Sequence, residues 1–169
     1  MMKTKILLTL AALLICSSTV VADDTQCLFN SSGSEVPYRI PTIVKNKKGQ
    51  LVAVTDYRLC KSDIGFGRVD LHYRVSSDNG RSWGNERILV EGDGIEGSPQ
   101  CGYGDAAMVA DRSSKEVLLL CVCGNTPYFN ADRSNPNRVA RLRSHDGGLT
   151  WEQPVEITEY IYTLFDQSA

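Results

Sequence analysis

Short apolar runs separated by turn-forming residues dominate the chain from Val36 onward, and no stretch shows convincing helical periodicity. Runs of this length, bounded by Gly, Asn, Asp and Pro, are typical of the strands of an all-β protein. The pattern predicts eight strands, at residues 42–45, 51–55, 69–75, 82–90, 106–110, 116–123, 138–144 and 149–157. They form two successive units of four strands, which indicates a fold built from repeated sheets.

One turn motif occurs in both units, between the third and fourth predicted strands. Residues 76–83 (SSDNGRSW) and 144–151 (SHDGGLTW) share the pattern Ser-x-Asp-x-Gly-x-Ser/Thr-Trp. The aspartate can accept hydrogen bonds from turn amides, the glycine can adopt a positive φ, and the tryptophan can cover the sheet and use its indole donor. Too few oxygen ligands lie in either turn for a calcium loop. We therefore assign a structural role to Asp78, Gly80, Trp83, Asp146, Gly148 and Trp151.

Repetition of a four-stranded unit predicts a β-propeller. The composition agrees with a soluble globular chain, since 42% of the 169 residues are hydrophobic and 22% are charged. The net charge of −2 gives no support for nucleic-acid binding, which usually requires a basic surface. We expect neither a nucleic-acid partner nor a stable membrane span.

The first 22 residues read as a signal peptide. Two lysines precede an apolar run at residues 6–15, and small residues lead to Ala22. The run is too short to span a bilayer. Lipoprotein processing at Cys16 is the alternative, although Ile15 is a poor residue before such a cysteine. The sequence thus predicts export to the periplasm, the cell surface or the medium, followed by a polar segment at residues 23–35.

Five cysteines remain after removal of the signal peptide, so at least one is unpaired or paired outside this chain. Cys121 and Cys123 share one face of a predicted strand but stand about 7 Å apart, which is too far for a disulfide. A zinc site is disfavoured because the sequence has only two histidines, and buried small apolar residues are the better interpretation. We expect no metal and no cofactor.

The segment at residues 36–44 (VPYRIPTIV) holds one arginine on a stiff backbone. Pro37 and Pro41 lie two residues to either side of Arg39, and each fixes its own φ and pushes the preceding residue to extended conformations. A guanidinium on such a backbone is preorganised to bind a planar anion, above all a carboxylate. The alternative is an ordinary surface or salt-bridged arginine.

Three features together resemble the bacterial exo-α-sialidases (neuraminidases), which are six-bladed β-propellers. They are Tyr38-Arg39-Ile40-Pro41, the two repeated turns, which are the Asp boxes of that family, and residues 56–70 (DYRLCKSDIGFGRVD). The resemblance covers roughly residues 36–157. It implies a partial propeller with blade one at 36–90, blade two at 105–157 and the start of blade three at 158–169.

The resemblance also implies roles for four residues. Arg39 matches the first of three arginines that hold the sialic acid carboxylate, and Arg58 matches an accessory arginine. Asp63 matches the general acid/base, five residues after Arg58. Asp105 matches an aspartate that lines the sugar pocket near the 4-hydroxyl.

The implied activity is hydrolysis of terminal sialic acids from glycoproteins, glycolipids or oligosaccharides, with retention through a tyrosine nucleophile. That tyrosine, its glutamate and two more arginines are expected in later blades, so we expect an incomplete N-terminal portion that is inactive alone. Two alternatives stay open. A glycan-binding propeller would use the same pocket without the chemistry of Asp63, and a structural or adhesion propeller would not need Arg39.

Overall fold

The structure, a computed structural model, describes residues 25–168 and confirms the all-β prediction. The predicted signal peptide at residues 1–22 lies outside the described residues. Two four-stranded antiparallel sheets follow one another along the chain, each with its strands in sequence order. The first contains β1 (Tyr38–Lys45), β2 (Leu51–Tyr57), β3 (Asp70–Ser76) and β4 (Arg87–Val90). The second contains β5 (Tyr103–Ala110), β6 (Val117–Cys123), β7 (Arg138–Ser144) and β8 (Val155–Glu156).

The fourth strand of each sheet is much shorter than the sequence predicts. Residues 82–86 are not a strand, because the Ser82 amide donates to Asp78 at 2.8 Å and the Gly84 amide donates to the Val75 carbonyl at 2.9 Å. In the second sheet, residues 149–154 are likewise outside the strand, and the Leu149 amide donates to the Asp146 carboxylate at 3.0 Å. Each Asp turn therefore includes residues that were predicted to belong to the following strand.

The expectation that the chain contains no helix is wrong. Residues 158–168, expected to start a third unit of strands, form the helix α1 (Thr158–Ser168), and Tyr128–Asn130 form a short 3₁₀ helix. Thr, Tyr, Ile and Phe in α1 have high strand propensity, which conceals the helix in the sequence. Tertiary contacts oppose that propensity. Arg133 lies over the Tyr162 ring at 4.2 Å and is 2.9 Å from Asp166, both on α1.

The core lies between the two sheets and is built from alternate positions of their strands. Val52, Val54 and Leu71 of the first sheet pack with Leu119 and Leu142 of the second, and all are at most 1% exposed. Burial of each such side chain contributes about 1.5–3 kcal/mol. Cys121 and Cys123 lie in the same cluster, and all five cysteines of the described residues are free thiols.

The same set of internal hydrogen bonds stabilises both Asp turns. The hydroxyl of the first serine, Ser76 or Ser144, donates to the aspartate and accepts the amide of the following glycine, at 2.7–2.8 Å. Gly148 has a φ of 90° and packs on the first sheet, since a Cβ there would lie 2.7 Å from Val52. Trp151 packs against the core, but its indole N–H has no acceptor among the described residues.

A β-bulge interrupts the first strand of each sheet at the corresponding position. In β1 the register shifts between Arg39 and Thr42, and in β5 it shifts between Gly104 and Ala107. Each bulge contains one residue other than glycine at positive φ, Ile40 at 50° and Asp105 at 54°. Such residues are uncommon in that region and need support from their surroundings. A β-bulge changes the direction of the side chains around it and is common next to functional sites. The first bulge follows Arg39, and the second contains Asp105.

Candidate active site

Three carboxylates surround the guanidinium of Arg58, which follows the last residue of β2. Its Nη2 lies 2.9 Å from Asp56 Oδ2 and 3.3 Å from Asp105 Oδ1, and its Nη1 lies 3.0 Å from Asp63 Oδ1. The Nε–H of Arg58 also donates to Asp56 Oδ2 at 3.1 Å. Three of the four residues carried over from the resemblance, Arg58, Asp63 and Asp105, therefore lie together, although they come from two sheets and a loop.

The three carboxylates differ in their exposure to solvent, which separates those that a ligand could contact from the one that it could not. The Asp63 side chain is 59% exposed and that of Asp105 is 39% exposed, whereas Asp56 is fully buried. Arg58 itself is only 7% exposed. A ligand could therefore reach Asp63 and Asp105, while Asp56 and Arg58 form the floor beneath them.

Burial and mutual repulsion change the protonation of this cluster. Burial raises the pKa of Asp56 to about 6, although its hydrogen bonds and charge interaction with Arg58 act in the opposite direction. Burial also raises the pKa of Asp105, with the Asp63 charge adding to the effect and Arg58 opposing it. A partly buried carboxyl group next to a second carboxyl group tends to keep its proton, which is the condition for donating a hydrogen bond or a proton at mildly acidic pH.

Arg39 of β1 lies opposite Asp56, the buried carboxylate of this cluster. The two are cross-strand partners in the β1–β2 pair, so their side chains leave the sheet on the same face. The Arg39 side chain is exposed and forms no salt bridge with any described residue. Its backbone is fixed, since the Thr55 hydroxyl donates to the Arg39 carbonyl at 2.8 Å. The guanidinium is thus free to bind an external anion.

The sequence analysis gave no role to Asp56, although the strand pattern contains the signal. Val52, Val54 and Asp56 alternate along β2, which places the carboxylate on the same face as two fully buried valines. A charged residue that continues an apolar face is buried, and a buried charge needs a partner. Arg58, two residues later, is that partner.

Within the described residues, no group of three or more His, Cys, Asp or Glu side chains could hold a metal ion. None of the helices in residues 25–168 is long and apolar enough to cross a membrane.

Comparison with known sequences gives two related sialidases, whereas no family model matches. The chain is 28% identical to a sialidase of Bacteroides fragilis over 135 residues, which is 73% of this chain and 25% of that protein. It is 30% identical to a sialidase of Micromonospora viridifaciens over 121 residues, which is 68% of this chain and 18% of that protein. The chain therefore spans a quarter or less of the length of these curated relatives.

Solved structures agree with this relationship. The Hadza microbial sialidase Hz136 superposes with a TM-score of 0.61 at 28% identity, over 72% of this chain and 26% of that one. The NanB sialidase from Streptococcus pneumoniae superposes with a TM-score of 0.60 over 71% of this chain and 36% of that one, and at 14% identity it supports the fold alone. The two sheets correspond to blades of a β-propeller, and these similarities relate the chain to the sialidases.

Proposed function

We propose that this chain supplies part of the active site of an exo-α-sialidase, which hydrolyses terminal sialic acids from glycoconjugates with retention of configuration. One observation carries the proposal. A single buried guanidinium, that of Arg58, holds two solvent-facing carboxylates, Asp63 and Asp105, beside the unpaired Arg39. The sialidase relatives support the choice of a sialylated glycan as the substrate.

Arg39 is the group proposed to bind the substrate carboxylate. Sialic acid carries a carboxylate that is ionised at working pH, and a permanently charged guanidinium fork matches its planar geometry with two parallel hydrogen bonds. Arg39 is exposed, sits on a fixed backbone and has no competing carboxylate within salt-bridge distance among the described residues.

Asp63 is the proposed general acid/base. Both contacts of its side chain, with Arg58 Nη1 at 3.0 Å and with the Ile64 amide at 2.8 Å, use Oδ1. The second oxygen, Oδ2, therefore has no protein donor among the described residues and can present a proton to the leaving oxygen. Proton donation of this kind assists departure of the aglycone from an oxocarbenium-like transition state.

Asp105 is proposed to accept hydrogen bonds from a sugar hydroxyl, as the resemblance implies for the 4-hydroxyl. Its side chain is 39% exposed, and only Oδ1 is engaged by Arg58. The remaining oxygen is an acceptor that can select a hydroxyl at one position of the ring.

The tyrosine nucleophile, its glutamate and two further arginines have no assigned positions in these 169 residues. We therefore propose that the chain alone does not turn over sialosides and that the complete gene product does. The substrates proposed are sialylated glycoproteins, glycolipids or oligosaccharides, and we propose an exported protein on the basis of residues 1–22.

The test compares the complete gene product with its Arg39→Ala variant on a fluorogenic α-sialoside. We expect release of the fluorophore by the parent, loss of at least a hundredfold in kcat/KM in the variant, and unchanged thermal unfolding. Binding of N-acetylneuraminic acid without any release would favour the glycan-binding propeller instead. Neither binding nor release would favour a structural or adhesion propeller.

A further inference from the structure

We propose that Asp56 is a positioning residue that fixes Arg58 and the Asp105 backbone at once, and so sets the spacing of the two solvent-facing carboxylates. This role deepens the sialidase function proposed above and rests on it for its catalytic consequence. The geometric part of the proposal concerns only the protein and can be tested without any substrate.

The hydrogen bonds of Asp56 join the two sheets. Its Oδ2 accepts from Nε and Nη2 of Arg58, at 3.1 and 2.9 Å, and its Oδ1 accepts from the Asp105 amide at 3.0 Å. The residue is completely buried, so water cannot replace a lost bond without opening the site. Removal of one partner from such a buried pair leaves an uncompensated polar group.

The β5 backbone is shaped to receive this carboxylate. A Cβ on Gly104 would lie 3.0 Å from Asp56 Oδ2 and 3.4 Å from its Cγ, so a side chain there would press on the carboxylate. The next residue, Asp105, has a φ of 54°, which is unfavourable for a residue other than glycine. The hydrogen bond from its amide to Asp56 stabilises this conformation, which lets Asp105 meet Arg58.

The charges that face Asp56 come from several elements. The charged groups are Arg58 after β2 and Asp105 of β5; the uncharged Cys121 thiol of β6 also lies near, and Arg39 of β1 is the cross-strand partner. Burial raises the pKa of Asp56 to about 6, so protonation of this carboxyl group falls within an accessible pH range. Protonation removes the negative charge of Asp56 that pairs with the Arg58 guanidinium. We therefore expect Arg58 to be held less firmly below pH 6.

The chain provides a matched control in Asp70. It is 2% exposed, accepts from Nε and Nη2 of Arg68 at 3.0 and 2.9 Å, and accepts the Gly92 amide at 2.9 Å. The donors are of the same types as those on Asp56, although Arg68 binds both oxygens of Asp70, and they include neither Asp63 nor Asp105. Asp56→Asn and Asp70→Asn should therefore lower stability similarly and affect the active site differently.

The experiment makes both variants in the complete gene product and combines crystal structures with pH profiles of kcat/KM on a fluorogenic α-sialoside. We expect Asp56→Asn to move Arg58 or return Asp105 to negative φ, to lower kcat/KM at least tenfold and to abolish an acid limb near pH 6. Asp70→Asn should keep the geometry of Arg58 and Asp105, the pH profile and kcat/KM within about twofold.

An unchanged Arg58–Asp105 geometry in Asp56→Asn, or equal losses of activity in both variants, would overturn the proposal. If Asp56→Asn does not fold, Gly104→Ala tests the same contact with every polar group retained. It should displace the Asp56 carboxylate and lower kcat/KM, and parental structure and activity in that variant would also overturn the proposal. If the parent has no sialidase activity, the proposed function fails, while the crystal structures still decide the role of Asp56.

Discussion

Arg39 and Asp63 take part in the same proposed reaction through different physical properties. In the proposed reaction, Arg39 would supply a permanent charge with fork geometry on a strand held by the Thr55 hydroxyl, whereas Asp63 would supply a proton from Oδ2, which has no donor among the described residues. Arg58 is too buried, at 7% exposure, to bind ligand freely, and its three carboxylate contacts make it an organiser of the site. Substitutions at Arg39 and Asp63 should therefore be distinguishable by the kinetic quantity that each one changes.

At Arg39, charge alone should not restore function. We expect Arg39→Lys to recover only a small part of the activity lost in Arg39→Ala, because a point charge cannot copy two parallel hydrogen bonds to a carboxylate. Loss of a charge-assisted hydrogen bond in a desolvated pocket costs about 1.5–3 kcal/mol, and more where a charge is left unpaired. Steady-state kinetics of the two variants in the complete gene product measure this. Parental activity in Arg39→Lys would remove Arg39 from the carboxylate site.

At Asp63, the loss should depend on the leaving group. We expect Asp63→Ala to slow natural sialosides, whose alkoxide leaving groups need a proton, far more than aryl sialosides with acidic phenols. The ratio of kcat/KM for the two substrates in parent and variant measures the effect. Asp105→Ala is the matched control, since it removes the other exposed carboxylate held by Arg58. Equal losses on both substrates in Asp63→Ala would assign Asp63 to binding alone.

At the scale of elements, the two Asp turns stabilise the hairpins between the third and fourth strands. Asp146 accepts the Leu149 and Thr150 amides, each at 3.0 Å, and the Thr150 hydroxyl at 2.6 Å. Although burial acts in the opposite direction, these bonds lower the pKa of Asp146 to about 2. The carboxylates of both turns accept hydrogen bonds from donors within the turns, which is consistent with the structural role predicted for them.

The lowered pKa predicts a pH-dependent stability. The ionised Asp146 contributes above the unfolded pKa of about 3.9, and its contribution is lost as the pH falls toward 2. Asp146→Asn should therefore lower the free energy of unfolding at pH 7 by about 1–2 kcal/mol, and the difference from the parent should narrow toward pH 2. Thermal unfolding at several pH values measures this.

Asp132→Asn is the control for Asp146→Asn. Asp132 accepts the Ser134 hydroxyl at 2.7 Å and the Ser134 and Asn135 amides, each at 2.8 Å, within a loop rather than between two strands, and these bonds lower its pKa. Its replacement should cost less stability. A larger loss in Asp132→Asn, or a gap between Asp146→Asn and the parent that widens on acidification, would contradict the assignment.

Much of the sheet architecture follows from local patterns, and the rest depends on tertiary contacts. Short apolar runs between turn-forming residues located β2, β3, β6 and β7, and glycine at the turns located the hairpins. The helix α1 was missed because its Tyr, Ile, Thr and Phe residues favour strands, while Arg133 contacts it from a distant loop. The ends of β4 and β8 were misplaced because the Asp turns use backbone amides that a strand would need.

The candidate site was predictable only in part. Arg39, Arg58, Asp63 and Asp105 could be named from the resemblance. The meeting of Asp63 and Asp105 on the Arg58 guanidinium could not be predicted, because Asp105 comes from the second sheet. The burial of Asp56 could have been inferred from its place on β2, but its hydrogen bond with the Asp105 amide could not, because no sequence pattern reports such a contact.

At the scale of the whole molecule, the chain buries only the space between its two sheets. The strands β1 and β4 are edges of the first sheet, and β5 and β8 are edges of the second. Ile43 of β1 is 55% exposed, Val109 of β5 is 59% exposed and Phe165 of α1 is 67% exposed. Repeated sheets need neighbours to complete a continuous core, and apolar edges pair with other chains.

Residues 23–169 expressed alone should therefore be inactive and either aggregated or only marginally folded. Size-exclusion chromatography, a urea unfolding curve and a fluorogenic sialoside assay on this segment measure the three properties. Replacement of the exposed Ile43 and Val109 by Thr is the matched control and should reduce the aggregation. A monomeric, cooperative unfolding transition would contradict the stability prediction, and measurable turnover would contradict the proposed distribution of roles.

The central claim is that Arg39, Asp63 and Asp105 form one sialic acid site on a floor made by Arg58 and Asp56. The most direct test is a crystal structure of the complete gene product with a sulfur-linked, unreactive α-sialoside. The account predicts the sugar carboxylate within about 2.7–2.9 Å of the Arg39 guanidinium, the glycosidic sulfur facing Asp63 Oδ2, and a ring hydroxyl on Asp105. A sialoside whose carboxylate binds away from Arg39, or whose glycosidic atom lies out of reach of Asp63, would contradict it.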